Sequence, residues 1–149
     1  MVKYVKGDLL DSDCAYICHQ VNCQGRMRSG IAKQIRERWP LVYDKYEFRC
    51  GLSAPEELLG TIDVVNVDNH KIVNIFGQLE YGYDGKQYTD YDAFRRALTV
   101  FSYLPPKGAS IGFPKNIGCG LGGGDWIVIS AMIEEILGKD FDVYIYEKE

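Results

Sequence analysis

Two glycine-rich segments carry the residue types that are best suited to holding an oxyanion. They read HQVNCQGRMRSGIA at residues 19–32 and NIGCGLGGGDW at residues 116–126, and each lies between an apolar stretch and a helix-like stretch. Glycine permits positive φ and a close approach of the backbone, while a helix N-terminus presents unpaired N–H groups and partial positive charge. The pattern therefore predicts two loops that bind adjacent phosphate groups. A pair of tight turns is the alternative.

The second segment also matches parts of two familiar nucleotide-binding motifs, but its context fits neither. Residues 118–123 have the spacing Gly-x-Gly-x-x-Gly, yet the dinucleotide fingerprint opens its fold and needs an acidic residue after the next strand. Here only one strand-like stretch follows the glycines. A P-loop needs Lys and Ser or Thr after its glycines, where this chain has Asp125 and Trp126.

Strand-like and helix-like stretches alternate along the chain and must position these loops. Apolar runs predict strands at residues 3–8, 15–21, 60–68, 71–78, 109–114 and 141–147. Helical periodicity predicts helices from Gly30 to Pro40, for another turn or two after Pro40, after Thr89, and over 126–137. Thr89 and Asp92 form a capping-box pattern, and Asp68-Asn69-His70 predicts a hairpin turn.

This alternation predicts an α/β fold. We expect three layers, α/β/α, around a mixed, mostly parallel sheet in which residues 60–78 are the antiparallel exception. In such sheets ligands bind at the carboxyl ends of the strands. Both glycine-rich segments follow predicted strands, so both are expected at that edge.

Length, charge and cysteine usage limit the possible classes of protein. The 149 residues predict a single domain over 1–149. A net charge of −4 disfavours a protein whose main task is gripping a nucleic-acid backbone. The sequence has no long apolar run and no signal-like N-terminus, which predicts a cytoplasmic protein without membrane contact. Its five cysteines lack paired zinc spacing, so we expect reduced thiols and neither a metal nor a cofactor.

Four short motifs, in chain order, resemble those of macrodomains. They are Gly7-Asp8-Leu9 after the first strand, His19-x-x-Asn22-Cys23-x-Gly25, Ser29-Gly30-Ile31-Ala32, and Pro114 leading into Gly118-Cys119-Gly120-Leu121. The resemblance spans nearly the whole chain. Within the macrodomains, the motifs most resemble those of the branch that contains terminal ADP-ribose glycohydrolases, DNA-ADP-ribosyl hydrolases and the yeast ADP-ribose-1''-phosphate phosphatase. The resemblance implies a three-layer macrodomain whose ligand is ADP-ribose or a derivative.

The resemblance also implies particular ligand contacts. Asp8 would accept a hydrogen bond from the adenine amino group, and Asn22 would hold hydroxyls of the distal ribose. Backbone N–H groups of residues 25–31 and 118–123 would wrap the diphosphate, and Arg26 and Arg28 would add positive potential. The ligand-binding residues are then Asp8, Leu9, Asn22, Gly25, Ser29, Gly30, Ile31, Gly118, Cys119, Gly120, Leu121 and Gly122. From the residues alone, Asp8 fits a turn cap and Asn22 a turn former equally well.

Two positions depart from the glycohydrolases of this branch. Those enzymes use a lysine directly after the strand corresponding to residues 71–78, where this chain has Gln78. The next lysine, Lys86, lies eight residues further on. Terminal glycohydrolases carry an aspartate where this chain has Gly122. A covalent route through lysine is therefore disfavoured.

Two residues are candidates for acid–base work. His19 matches a histidine of the yeast phosphatase and could activate water or protonate a leaving group; a buried structural histidine is the alternative. Asp125 could orient water or cap the last helix. Asp90 is a weaker third candidate, and tyrosines within residues 81–88 could form a lid over the distal ribose.

Three functions remain open after the sequence is read. The first is hydrolysis of ADP-ribose 1''-phosphate, which His19 and the missing lysine favour. The second is release of ADP-ribose from protein or nucleic acid by a water-mediated step. The third is non-catalytic binding of ADP-ribose. We expect a hydrolase, with ADP-ribose or a derivative as ligand and ADP-ribosylated protein or nucleic acid as the further partner class.

Overall fold

A six-stranded sheet forms the centre of the computed structural model, which describes residues 1–148. Its strands are β1 Val2–Lys6, β2 Tyr16–Asn22, β3 Ile62–Val67, β4 His70–Gln78, β5 Ser110–Pro114 and β6 Asp142–Glu147. They lie in the order β1-β6-β5-β2-β4-β3. Only β3 and β4 pair antiparallel. The predicted mixed, mostly parallel sheet is therefore confirmed, including its antiparallel exception.

Five helices cover the sheet. They are α1 Gly30–Arg38, α2 Pro40–Leu52, α3 Pro55–Leu58, α4 Tyr91–Phe101 and α5 Trp126–Leu137, and a 3-10 helix spans Leu9–Asp11. The second helix is longer than the turn or two expected after Pro40. Proline takes its first helical position, where a missing N–H breaks no hydrogen bond, so Pro40 starts a helix instead of interrupting one.

The sheet separates two apolar cores. One contains α4 and α5 side chains such as Phe94 and Ile133, and the other contains α1 and α2 side chains such as Ile35 and Tyr46. Each core packs on one face of the sheet, which gives the expected three layers, α/β/α. The parallel strands β2 and β5 are neighbours. Their carboxyl ends therefore bring the two glycine-rich segments to the same edge.

One local prediction is wrong and another is confirmed. Asp90, not Thr89, is the N-cap of α4, and its carboxylate accepts a hydrogen bond of 3.0 Å from the Ala93 N–H. Thr89 is instead buried, with 2% of its surface exposed. The hairpin turn between β3 and β4 forms as expected, and Asp68 adopts a positive φ of 44° in it.

The described residues contain neither a helix that could span a membrane nor a cluster of metal-ligand side chains. None of the helices within residues 1–148 combines the length and the apolar character that crossing a membrane requires. In the same part of the chain, no three His, Cys, Asp or Glu side chains are grouped as metal ligands. All five cysteines are free thiols.

Candidate functional site

A cavity of about 320 Å³ opens at the carboxyl ends of β2, β4 and β5. This volume lies at the lower end of the range for small-molecule sites. The first glycine-rich segment and the start of α1 form one wall, and the second segment forms the opposite wall. The lining residues are 20–22, 26, 28–32, 78, 81–83, 114–118 and 120–122.

The N-terminus of α1 is open toward this cavity. Ser29 occupies the N-cap position, where serine ordinarily accepts a hydrogen bond from the first turn, yet its side chain makes no such bond. Its hydroxyl lies 3.0 Å from the hydroxyl of Tyr83 instead. The N–H groups of Gly30, Ile31 and Ala32 make no hydrogen bond to any residue within 1–148. Three donors at a positive helix end are thus left for a ligand.

The opposite wall supplies a second set of free donors. Within the second segment, the N–H groups of Cys119 and Gly123 close internal turns on Asn116 O and Gly120 O, at 2.8 and 3.0 Å. Among described residues, nothing accepts from the remaining N–H groups of the cavity wall, which belong to Gly118, Gly120, Leu121 and Gly122. We call the free N–H groups of residues 30–32, 118 and 120–122 the donor clamp. The residues that carry them line one cavity from two sides, which suits an anion with two adjacent charged groups.

The charge of the cavity opposes the charge of the chain. The protein carries a net charge of −4, but the cavity is lined by Arg26, Arg28 and Lys115, and no Asp or Glu is among its lining residues. Lys115 bonds to Glu147 at 3.0 Å. Neither arginine forms an ion pair with any residue in 1–148. An acidic protein thereby presents local positive potential to an anionic ligand.

A polar cluster at the base of the cavity was missed from the sequence. Gln20 Nε2 donates to Gln78 Oε1 at 2.6 Å and to Thr89 Oγ1 at 2.9 Å. Thr89 in turn donates to the carbonyl oxygen of Gly118 at 2.6 Å. In the sequence, Gln20 is 58 residues from Gln78 and 69 residues from Thr89. The one local signal was a glutamine inside an otherwise apolar strand, and that did not identify its partners.

Two different steric requirements explain why the second segment is rich in glycine. A Cβ on Gly122 would lie 2.7 Å from Thr89 Oγ1, one on Gly118 would lie 3.1 Å from the same atom, and one on Gly124 would lie 3.4 Å from Thr89 Cβ. These three glycines therefore make room for Thr89. Gly120 differs, because a Cβ there would meet nothing within 4 Å. Only Gly120 fits the simple expectation of a glycine that leaves space for a ligand.

Eight of the predicted ligand-binding residues line the cavity: Asn22, Ser29, Gly30, Ile31, Gly118, Gly120, Leu121 and Gly122. Their contact with a ligand stays a prediction. Asn22 also has a structural task. Its Oδ1 accepts from the Gln24 N–H at 2.9 Å, its Nδ2 donates to Arg26 O at 2.9 Å, and its backbone carbonyl accepts from Tyr46 Oη at 2.7 Å. One amide hydrogen of Asn22 remains for a bound hydroxyl.

Four predicted ligand-binding residues lie outside the cavity lining. Asp8 caps the 3-10 helix by accepting from the Leu10 N–H at 3.0 Å, and Leu9 is buried with 4% exposed. Gly25 adopts a φ of 77° at the turn beside Cys50. Cys119 packs its thiol beneath the second segment, where burial raises its pKa to about 11. These four residues therefore have structural roles outside the cavity lining, and their contact with a ligand also stays a prediction.

His19 is a core residue, which favours the alternative of a buried structural histidine over the acid–base role. Its side chain has no exposed surface, and its Nε2 lies 2.6 Å from Asn74 Oδ1 on the neighbouring strand. Burial, only partly offset by that hydrogen bond, lowers the pKa of His19 to about 4. A neutral imidazole that does not reach the cavity cannot exchange protons with a ligand there. The resemblance drew attention to His19, but the position of this residue within β2 places its side chain in the buried interior beside Asn74.

The acidic candidates also serve as caps. Asp125 is exposed at the N-cap of α5, where its carboxylate accepts from the Ile127 N–H at 2.9 Å, and it does not line the cavity. Asp90 caps α4 in the same way. Lys86 is exposed, pairs with Asp84 at 3.7 Å, and also lies outside the lining. Helix N-termini that already carry a carboxylate cap are unfavourable sites for a second anion, which distinguishes α5 from α1.

Several curated relatives resemble this chain in sequence, whereas no protein-family model matches it. A DNA ADP-ribosyl glycohydrolase of Mycobacterium tuberculosis is 31% identical over 158 residues, which cover 98% of this chain and 42% of that protein. An ADP-ribose 1''-phosphate phosphatase of Aspergillus oryzae is 35% identical over 71 residues, covering 46% of this chain and 35% of that protein. The chain thus spans less than half the length of these two relatives.

Solved structures match over nearly the full length of both chains. A protein of unknown function from Bacteroides thetaiotaomicron superposes with a TM-score of 0.84 at 29% identity, covering 99% of this chain and 98% of that one. The macrodomain of Mycobacterium tuberculosis DarG superposes with a TM-score of 0.79 at 29% identity, covering 98% and 97%. The sheet order, the two loops at its carboxyl edge and these matches together identify the chain as a macrodomain.

Proposed function

We propose that the cavity binds the ADP-ribose unit of a larger or modified ligand. The observation that carries the proposal is the donor clamp, in which seven free N–H groups face one space from two walls. A diphosphate has two adjacent anionic groups, and each would accept hydrogen bonds from one wall. Arg26 and Arg28 add positive potential at the same place. The adenosine and the distal ribose would then extend to opposite ends of the cavity.

We further propose that the protein hydrolyses a bond at the anomeric carbon of the distal ribose. The sequence favoured ADP-ribose 1''-phosphate as substrate because of His19 and the missing lysine, and the buried position of His19 weakens the first of these reasons. The relative that matches over 98% of this chain is named a DNA ADP-ribosyl glycohydrolase, which supports ADP-ribosylated nucleic acid as the second substrate class. Gln78 lines the cavity at the position where the glycohydrolases of this branch use a lysine. A water-mediated step therefore fits this chain better than a covalent one.

Non-catalytic binding is the second candidate function. It is favoured by one observation: the lining residues of the cavity include no Asp, Glu or His. A protein that only reads ADP-ribose needs no such group.

Binding and turnover are tested in sequence on the purified protein. Calorimetry with free ADP-ribose should give a dissociation constant in the micromolar range, about −8 kcal/mol, and AMP should bind far more weakly because it fills half of the clamp. Absence of both heat and thermal stabilisation at millimolar ADP-ribose would refute the proposal. ADP-ribose 1''-phosphate, ADP-ribosylated DNA and ADP-ribosylated protein are then assayed for product release. Binding without turnover of any of the three would make the protein a reader.

A further inference from the structure

Thr89 contacts both ends of the glycine segment that supplies half of the donor clamp. Its hydroxyl donates to the carbonyl oxygen of Gly118 at 2.6 Å, and its backbone N–H donates to the carbonyl oxygen of Gly122 at 2.9 Å. Tyr88 N–H donates to the same Gly122 oxygen at 2.7 Å. Residues 118 and 122 bound the stretch that contains the four free N–H groups of this wall. One buried side chain and its own amide therefore fix the two ends of that stretch.

The direction of these hydrogen bonds leaves Thr89 no alternative partner. A hydroxyl has a single hydrogen. The amide nitrogen of Gln20 can only donate, and it lies 2.9 Å from Thr89 Oγ1, so the hydroxyl accepts there and donates to Gly118. Gly118 O also accepts from the Gly124 N–H at 2.9 Å, which joins the start of the segment to its end. Losing the hydroxyl would thus leave Gly118 O and Gln20 Nε2 each with one partner fewer inside a buried cluster.

We infer that Thr89 is the positioning residue of the second wall of the clamp. This inference rests on the proposed function of the cavity, since it assigns to Thr89 the task of holding N–H groups where a diphosphate would meet them. Thr89 is 2% exposed and is absent from the cavity lining, so it acts through the glycine segment and not by touching the ligand. Gly118, Gly122 and Gly124 pack closely around Thr89 and thereby restrict the position of its side chain.

The test compares Thr89→Val with Thr89→Ser. Valine keeps the shape but removes the hydroxyl, and serine keeps the hydroxyl but removes the methyl group. Thr89→Val should weaken ADP-ribose binding about tenfold or more, the effect of losing one well-placed hydrogen bond. It should also speed hydrogen exchange of amides 118–124 in the ligand-free protein. Thr89→Ser should restore both measurements. Thr99→Val, at an exposed threonine of α4, is the matched control and should change neither.

Two results would overturn the inference. One is a folded Thr89→Val protein with unchanged affinity and unchanged exchange. The other is an equal loss in Thr89→Ser, because the hydroxyl would then not be the cause. Thr89→Ala, which puts no methyl group against Gly118 O, replaces Thr89→Val if that variant fails to fold. If the unmodified protein binds no ADP-ribose, the proposed function fails, and the exchange comparison alone still decides the role of Thr89.

Discussion

Acidification should destabilise this protein through His19. The imidazole is buried, donates from Nε2 to Asn74 Oδ1, and has no partner for Nδ1 among the described residues. Burial lowers its pKa to about 4 in the folded state, whereas a histidine in the unfolded chain has a pKa of about 6.5. Between these values the unfolded state binds a proton that the folded state does not. The free energy of unfolding therefore falls as the pH falls through this window.

The size of the effect follows from the two pKa values. Relative to pH 8, the contribution of His19 should lower the free energy of unfolding by about 1 kcal/mol at pH 5.5 and by about 2 to 3 kcal/mol at pH 4.5. Losses of this size are a large fraction of the stability of a typical domain. Other groups titrate in the same range, so a variant that lacks only this imidazole is needed to isolate the effect.

Urea unfolding at several pH values, for the unmodified protein and for His19→Gln, measures the difference. Glutamine can still donate to Asn74 Oδ1 but does not titrate, so the unmodified protein should lose more stability than the variant between pH 8 and pH 4.5, by the amounts above. His70→Gln changes the other histidine and should keep the steep loss, since His19 remains. Parallel loss of stability in the unmodified protein and in His19→Gln would refute a buried, neutral His19.

Two further variants test the cavity. Gly120→Val should abolish ADP-ribose binding in a folded protein, because the valine side chain would occupy the cavity space in which the ligand is proposed to bind. Gly51→Val is the control: Gly51 lies in the last turn of α2 and is equally free of contacts, so the affinity measured by calorimetry should not change. Gly30 is less suitable for this test, since its φ of 57° would strain any side chain. Lys86→Ala should leave binding and turnover within about twofold of the original in the product assays, the scale of a weak surface ion pair. Loss of turnover in that variant would instead revive a lysine mechanism.

Local patterns in the sequence predicted the elements and their order. A stripe of apolar residues with helical period, such as Phe94, Leu98 and Phe101, became the buried face of α4 because periodicity alone selects that face. Glycine and proline set the boundaries of α1 and α2 for equally local reasons. The position of both glycine-rich segments at one edge of the sheet also followed, since neighbouring parallel strands end on the same side.

The roles of individual polar residues were decided only by the tertiary structure. Strand β2 lies in the middle of the sheet and is covered on both faces, so its sequence does not show which side chains reach the cavity: Gln20 does and His19 does not. Ser29 and Asp125 are both good capping residues, yet only Asp125 caps its helix. The hydroxyl of Ser29 meets Tyr83, 54 residues away, and the first turn of α1 stays open. The hydrogen bond between Ser29 and Tyr83 replaces the local capping bond, and only the folded chain brings Tyr83 close enough to form it.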